Sequence, residues 1–277
     1  MTAWTLLEAG ELTPAANMAL DLGVLGASLA TERPDPVVRV YGWRPATVSV
    51  GAKIDLPEGV RRRCTAAGID VVQRATGGGC VLHDRDVTYS VVAPVAGRSV
   101  LEAYRWVAGG LVAGLRLLGI EATVAQHQGD PGMLRRSGPR GDSPAVGRPL
   151  DCFAVATGAD LEVGGRKICG SAQVRRRGWF LQHGSLPIVD IREKMATLLG
   201  DSADRTSTCV EESRPGTTWS ETASALIAGF AAAWGAEPCR RRPERLEWGS
   251  AGEAPHYRGV PEGPRAAGVL QDPLGMV

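Results

Sequence analysis

Lysine is almost missing from this chain. Of 31 basic residues only Lys53, Lys167 and Lys194 are lysines. A buried lysine can lose its proton and arginine effectively cannot, so any lysine kept in a chemically suggestive place is informative. Aromatic residues are also few, at 5%, and the formal net charge is only +1. Both argue against a stacking platform or a strongly basic face for nucleic acid. The arginine triplets at 61–63, 175–177 and 240–242 read as solvated side chains in an arginine-biased composition, and no nucleic-acid partner is expected. No apolar run approaches the roughly 18 residues of a membrane span. The opening MTAWTLLEAG lacks a basic stretch followed by an apolar one. A cytoplasmic protein with neither export nor membrane contact is therefore expected. The six cysteines, at 64, 80, 152, 169, 209 and 239, include no C-x-x-C pair. That excludes a disulfide framework and a zinc site as first readings, and neither a metal nor a cofactor is called for.

What remains is an ordinary globular composition, 44% hydrophobic and 22% charged over 277 residues. It suits one catalytic-size domain, placed at 1–236, with a Pro/Gly-rich tail at 237–277 expected to be poorly ordered. Thr13-Pro14 supplies an N-cap and first-turn proline for a helix to about Ala30, with Ala15, Met18, Leu22, Leu25 and Leu29 as its apolar stripe. Strands are expected at Trp4–Leu7, at Val37–Tyr41 and Thr47–Val50 joined by a turn at Arg44-Pro45, at Asp70–Arg74 and at Val87–Val92. Further strands are placed at 121–125, 151–156, 159–163, 166–174 and 178–188, with a hairpin turn at Val163-Gly164-Gly165. Helices are expected near 57–67, 98–118, 190–200 and 218–234, and a loop at 127–149. Hairpins outnumber crossovers, so the fold class is α+β, a mixed or antiparallel sheet flanked by helices.

Two segments carry chemistry. In Arg74-Ala-Thr-Gly-Gly-Gly-Cys-Val-Leu-His-Asp84, the glycines at 77–79 allow close backbone approach to a ligand, and Arg74 and His83 flank them. No Gly-Lys-Ser/Thr follows, so this is not a P-loop, and the dinucleotide fingerprint does not fit. A simple tight turn explains the glycines equally well. In Gly165-Arg-Lys-Ile-Cys-Gly-Ser-Ala-Gln173, period-2 alternation puts Lys167, Cys169 and Ser171 on one face of a strand. Small residues at 170–172 leave room against the sheet. Here the plain alternative is a hairpin with a snorkelling lysine.

Taken together, R-x-T-G-G-G-x-V-x-H-D, then G-R-K-x-x-G-S-A-Q from Gly165 and H-G-S from His183, closely resemble the lipoate–protein ligase and octanoyltransferase family, related to biotin ligases. The resemblance runs from Asn17-Met-Ala-Leu-Asp21 to about residue 234. It implies a class II synthetase/biotin-ligase-like catalytic domain. In it the glycine loop and the lysine strand line an acyl tunnel, with the lysine against the acyl carbonyl. Substrate-binding roles then fall on Arg74, Gly77, Gly78, Gly79, His83, Gly170, Ser171, Ala172 and His183.

The family contains ATP-dependent ligases and transferases, and a nucleophile separates them. Asp151-Cys-Phe153, upstream of Lys167, is similar to the C-F element of octanoyltransferases of the LipM type. That likeness implies an acyl-thioester on Cys152, with Lys167 favouring the thiolate and moving protons. It also implies octanoyl-acyl carrier protein as donor, and a lipoyl-domain lysine as acceptor, on a glycine cleavage H protein or a 2-oxoacid dehydrogenase E2. A thioester-to-thioester exchange needs no ATP. Cys169 is the rival nucleophile. An ATP-dependent ligase and a non-catalytic lipoyl-domain binder are the alternatives. Against the ligase stands the short stretch after the last helix, where ligases often carry another domain.

Overall fold

The computed structural model describes residues 2–31, 35–125, 150–153, 160–200 and 206–243. The expected loop at 127–149 and most of the tail lie outside them. The strands are β1 (Thr5–Leu7), β2 (Glu11–Leu12), β3 (Val37–Trp43), β4 (Thr47–Val50), β5 (Asp70–Gln73), β6 (Cys80–His83), β7 (Asp86–Pro94), β8 (Thr123–Val124), β9 (Leu161–Val163), β10 (Arg166–Arg176), β11 (Trp179–Pro187) and β12 (Cys239–Arg241). The helices are α1 (Pro14–Thr31), α2 (Glu58–Ala66), α3 (Val100–Leu117), α4 (Arg192–Leu199), α5 (Val210–Ser213) and α6 (Trp219–Trp234).

Local chemistry sets the long helices. Ser99 caps α3 in a reciprocal box with Glu102, and Thr218 does the same for α6 with Glu221. Each box satisfies backbone N–H groups that the first turn leaves open. Gly235, at φ 67°, closes α6 in the left-handed conformation that favours glycine.

The main sheet runs β12-β1-β3-β7-β11-β10-β9-β8, with β2 beside β3. Its centre is antiparallel, while β1 pairs in parallel with both β3 and β12. Alternation along the strands divides the core. Val91 and Phe180 enter the cluster made with α3 and α6, whereas Val92 and Leu181 enter the one made with α1. α3 and α6 cross closely, and a methyl on Gly229 would lie 2.2 Å from the Gly114 nitrogen. The second sheet, β5-β4-β6, is covered by residues of α2 and α4 in its own apolar cluster. The result is the expected α+β class.

Several expectations change in detail. β3 and β4 both form but do not pair with each other. β4 is buried along its length and takes β5 and β6 as its two neighbours, so the turn at Arg44-Pro45 moves the chain between sheets. The expected stripe of α1 holds at Met18 and Leu25, which are buried, and at Leu29, which packs on the same core, but Ala15 is exposed and the inward face also takes in Asn17, Leu20, Asp21, Val24 and Ser28. Its polar members are hidden from a hydrophobic count because their partners are also buried. Of the strand expected at 151–156, the described residues 151–153 form a bridge between Cys80 and Asp151 followed by a turn, in which the Asp151 side chain accepts from Phe153 N at 2.8 Å; 154–156 lie outside the described residues. Cys239–Arg241, beyond the expected limit of the domain, form β12 beside β1.

Candidate active site

The glycine segment forms the loop from β5 to β6 in the second sheet, where Gly79 is required by crowding and Gly78 by angle. A methyl on Gly79 would meet the Leu150 carbonyl at 2.2 Å, and one on Gly51 would meet the Gly78 carbonyl at 2.0 Å. Gly78 itself has φ 94°, with Arg74 Nη2 2.9 Å and Cys152 Sγ 3.5 Å from where its Cβ would stand. Gly77 faces open space. The Arg74 guanidinium is buried and ties the loop together, donating to Ser49 O at 2.9 Å, Ser49 Oγ at 3.1 Å, Gly77 O at 3.0 Å and Gly79 O at 2.8 Å.

Cys152 reaches this loop through the backbone. Its N–H donates to Cys80 O at 2.9 Å, and Cys80 N–H donates to Leu150 O at 2.6 Å. The side chain is half-buried. From the other sheet comes Lys167, 2% exposed. Its Nζ donates to the Cys152 carbonyl at 2.8 Å and pairs with Asp160 Oδ2 at 2.9 Å. Burial pushes the lysine toward losing its proton, but negative charge at Cys152 and at Asp160 outweighs that and raises its pKa.

A bulge at Ile168 explains the placement. Lys167 pairs with Glu162 and Cys169 with Leu161, so one residue of β10 is extra. The simple alternation that put Lys167, Cys169 and Ser171 on one face fails there. Lys167 instead lies over Gly170, whose absent Cβ would touch its Cε at 3.1 Å. Ile168 and Cys169 both enter the main core.

Two histidines sit behind the loop in separate networks. His83 Nδ1 meets Asp86 Oδ2 at 2.8 Å and its Nε2 meets Ser49 Oγ at 2.8 Å. Trp43 stacks on the ring at 4.1 Å between centroids. His183 Nδ1 meets Asp21 Oδ2 at 3.1 Å and its Nε2 meets Thr76 Oγ1 at 2.6 Å. Burial lowers the His183 pKa despite the opposing Asp21, so the ring is neutral and Nε2 accepts from Thr76. Asp21 also accepts from Arg39, Tyr41 and Ser90. Burial acts to raise its pKa, and the Arg39 charge with the His183 and Ser90 bonds brings it below the usual carboxylate value.

The structure thus gathers Arg74, Gly78, Cys152, Lys167 and Gly170 at one seam. Gly77 and Gly79 stand beside them in the loop, and His83 and His183 hold it from behind. Ala172 sits opposite His183 in the β10–β11 ladder. Ser171 meets the site through its backbone N–H, which donates to Asp160 Oδ1 at 3.2 Å, while its hydroxyl bonds Tyr89 at 2.7 Å. Cys169 is sealed in the core, and burial pushes its thiol up to about 12. Asp160 was missed in the sequence. The signal was hairpin arithmetic: the turn at 164–165 sets Glu162 opposite Lys167, and residue 160, just before β9, falls two positions from Glu162 in the same alternation.

The sequence matches the lipoyl protein ligase A/B catalytic domain over residues 13–230. It is 38% identical over 256 residues to octanoyltransferase LipM of Symbiobacterium thermophilum, covering 84% of this chain and 87% of that protein. It is 37% identical over 195 residues to octanoyltransferase LipM of Bacillus subtilis, covering 69% and 66%. Among solved structures it resembles lipoate-protein ligase A bound with ATP, with TM-score 0.69 and 19% identity over 89% of this chain and 91% of that one. At that identity the likeness is one of fold.

Proposed function

The chain belongs to the lipoyl protein ligase A/B catalytic-domain family, and from that membership we propose that it is a cytoplasmic octanoyltransferase of protein lipoylation that carries the acyl group on Cys152. The observation that carries this reading is the setting of that thiol. It is half-buried, lies over Gly78, and couples to two cations, Arg74 and Lys167. Cys169, the rival, is enclosed with its thiol pushed up to about 12.

In the first half-reaction the Cys152 thiolate attacks the thioester carbonyl of octanoyl-acyl carrier protein. The bond to the carrier sulfur breaks, and the departing thiolate takes a proton from the Lys167 ammonium. One thioester replaces another, so no ATP is consumed. In the second, the amine of a lipoyl-domain lysine, on a protein such as glycine cleavage H protein or 2-oxoacid dehydrogenase E2, attacks the acyl-Cys152 carbonyl. The amide forms, Lys167 takes the proton, and Cys152 leaves as thiolate. The electrostatics run with these steps. Acylation removes one of the groups that raise the Lys167 pKa, while Asp160 stays at 2.9 Å and keeps the ammonium available as the proton donor. The acyl chain lies between the glycine loop and the Gly170–Ala172 stretch of β10.

Incubation with octanoyl-acyl carrier protein, followed by intact mass measurement, should give one hydroxylamine-sensitive octanoyl adduct, absent in Cys152→Ala. An adduct that survives in Cys152→Ala refutes the assignment. Loading of free octanoate or lipoate that requires ATP and releases pyrophosphate would make the protein a ligase instead.

A further inference from the structure

We propose that Arg74 is the counter-ion of the Cys152 thiolate; this rests on the reading of Cys152 as the acyl carrier and adds a role for the arginine of the glycine loop. Arg74 is 4% exposed, and a guanidinium keeps its proton even there. A buried charge without an opposite charge is costly. Yet its four acceptors, two on Ser49 and one each on Gly77 and Gly79, are all neutral oxygens. Lys167 differs, because its charge is matched by Asp160 at 2.9 Å. The lysine and the aspartate offset each other, whereas no carboxylate among the described residues accepts from Arg74.

The guanidinium and the thiol also face the same gap. Arg74 Nη2 and Cys152 Sγ lie 2.9 Å and 3.5 Å from the single point where a Gly78 side chain would begin. Burial lowers the Arg74 pKa, and the groups that oppose this are Cys152 first and Cys80 second. Cys80 has its own thiol pushed up to about 12, so it stays neutral at working pH and is no counter-charge for Arg74. Among the described residues, the other titratable groups around Cys152 are Asp151 beside it, Tyr104 on α3, Asp160 before β9 and Lys167 on β10.

A chain of hydrogen bonds holds the guanidinium in place. Arginine only donates, so Ser49 Oγ accepts from Arg74, and the same oxygen meets His83 Nε2 at 2.8 Å. A carboxylate only accepts, so His83 Nδ1 donates to Asp86 Oδ2 at 2.8 Å. Asp86 Oδ2 also accepts from Thr88 and Ser185. Ser49 and His83 are positioning residues on this account. They act on the thiol through Arg74.

The test reads thiolate character without any acyl donor. Full-length protein is alkylated with iodoacetamide, and the rate at Cys152 is taken by peptide mass spectrometry relative to the exposed Cys239. Arg74→Gln keeps donors for the loop carbonyls and removes the charge. Near pH 7 it should lower the Cys152/Cys239 ratio at least about tenfold, and the deficit should close near pH 10, where free thiols ionise unaided. Arg74→Lys, which keeps the charge but loses the planar set of donors to the loop, should hold the deficit well under tenfold. An unchanged ratio in Arg74→Gln, or an equal deficit at both pH values, overturns the proposal. If alkylation of the buried Cys64 shows that Arg74→Gln has loosened the fold, Arg74→Lys decides: a folded Arg74→Lys with a tenfold deficit overturns it too. The two readings fail separately. Normal alkylation in Arg74→Gln with an octanoyl adduct on Cys152 removes only the counter-ion, whereas a reactive Cys152 that never gains octanoate removes only the acyl carrier.

Discussion

Asp160→Asn isolates the charge that stands against Lys167. The carboxylate is 1% exposed, binds Nζ at 2.9 Å and accepts from Ser171 N–H at 3.2 Å. Asparagine can keep the second bond and can offer its oxygen to Nζ, but it leaves the ammonium without an anion there. Removing one partner of a buried ion pair costs about 3–5 kcal/mol, and the retained bonds put this variant near the lower end. For a domain of this size each kcal/mol lowers Tm by about 2–4 °C, so a fall of about 6–12 °C is expected by calorimetry. Lys167→Met should cost a similar amount, because Asp160 is then the unpaired charge. The double variant should recover about 2–3 kcal/mol relative to the sum of the singles. Additive losses would refute the pairing. The pH dependence has a fixed sign. Lys167 has a folded pKa above its ordinary 10.5, so its contribution is complete below that value and is lost as pH rises through the folded pKa. The stability gap between wild type and Lys167→Met should therefore be flat at neutral pH and shrink above about pH 10.5.

Two further outcomes follow from the geometry. Cys169→Ala should leave octanoyl loading at the wild-type level and cost about 1 kcal/mol in urea unfolding; loss of the adduct there would move the nucleophile to the core position. Gly78→Ala introduces a methyl 2.9 Å from Arg74 Nη2 at a backbone angle of φ 94°, so it should cost about 1–3 kcal/mol and slow Cys152 acylation by more than tenfold. Wild-type acylation in that variant would mean that the thiol and the guanidinium do not share the gap over Gly78.

Residues with local chemistry were legible from the sequence. Thr13-Pro14 marked the start of α1, and helices were expected near 98–118 and 218–234, where the structure adds the caps Ser99 with Glu102 and Thr218 with Glu221, bonds made within one turn. The Arg74–Gly79 and Lys167–Gly170 motifs likewise pointed to the two walls of the seam. Features set by distant contacts were not legible. β4 leaves β3 because its partners are β5 and β6, and nothing in Thr47–Val50 announces that. The inward face of α1 was read only in part, through Met18, Leu25 and Leu29, because Asn17 and Asp21 are polar yet buried against Arg39. One extra residue at Ile168 was enough to turn Lys167 away from Cys169. Period-2 reading carries no warning of a bulge.

The parallel pairing of β12 with β1 bears on how the protein can be cut. Cys239 N donates to Trp4 O at 2.9 Å, and Trp4 Nε1 donates to Ala236 O at 2.7 Å. A fragment ended just after α6 would keep its helices, Cys152 and Lys167. It would also strip the partner from Thr5–Leu7 and present a fresh row of backbone donors and acceptors along that border. Such a border is a template for another chain, so the shortened chain should self-associate although the seam is intact. β1 and β12 act here as a clasp, and expression of the domain depends on keeping both halves of it.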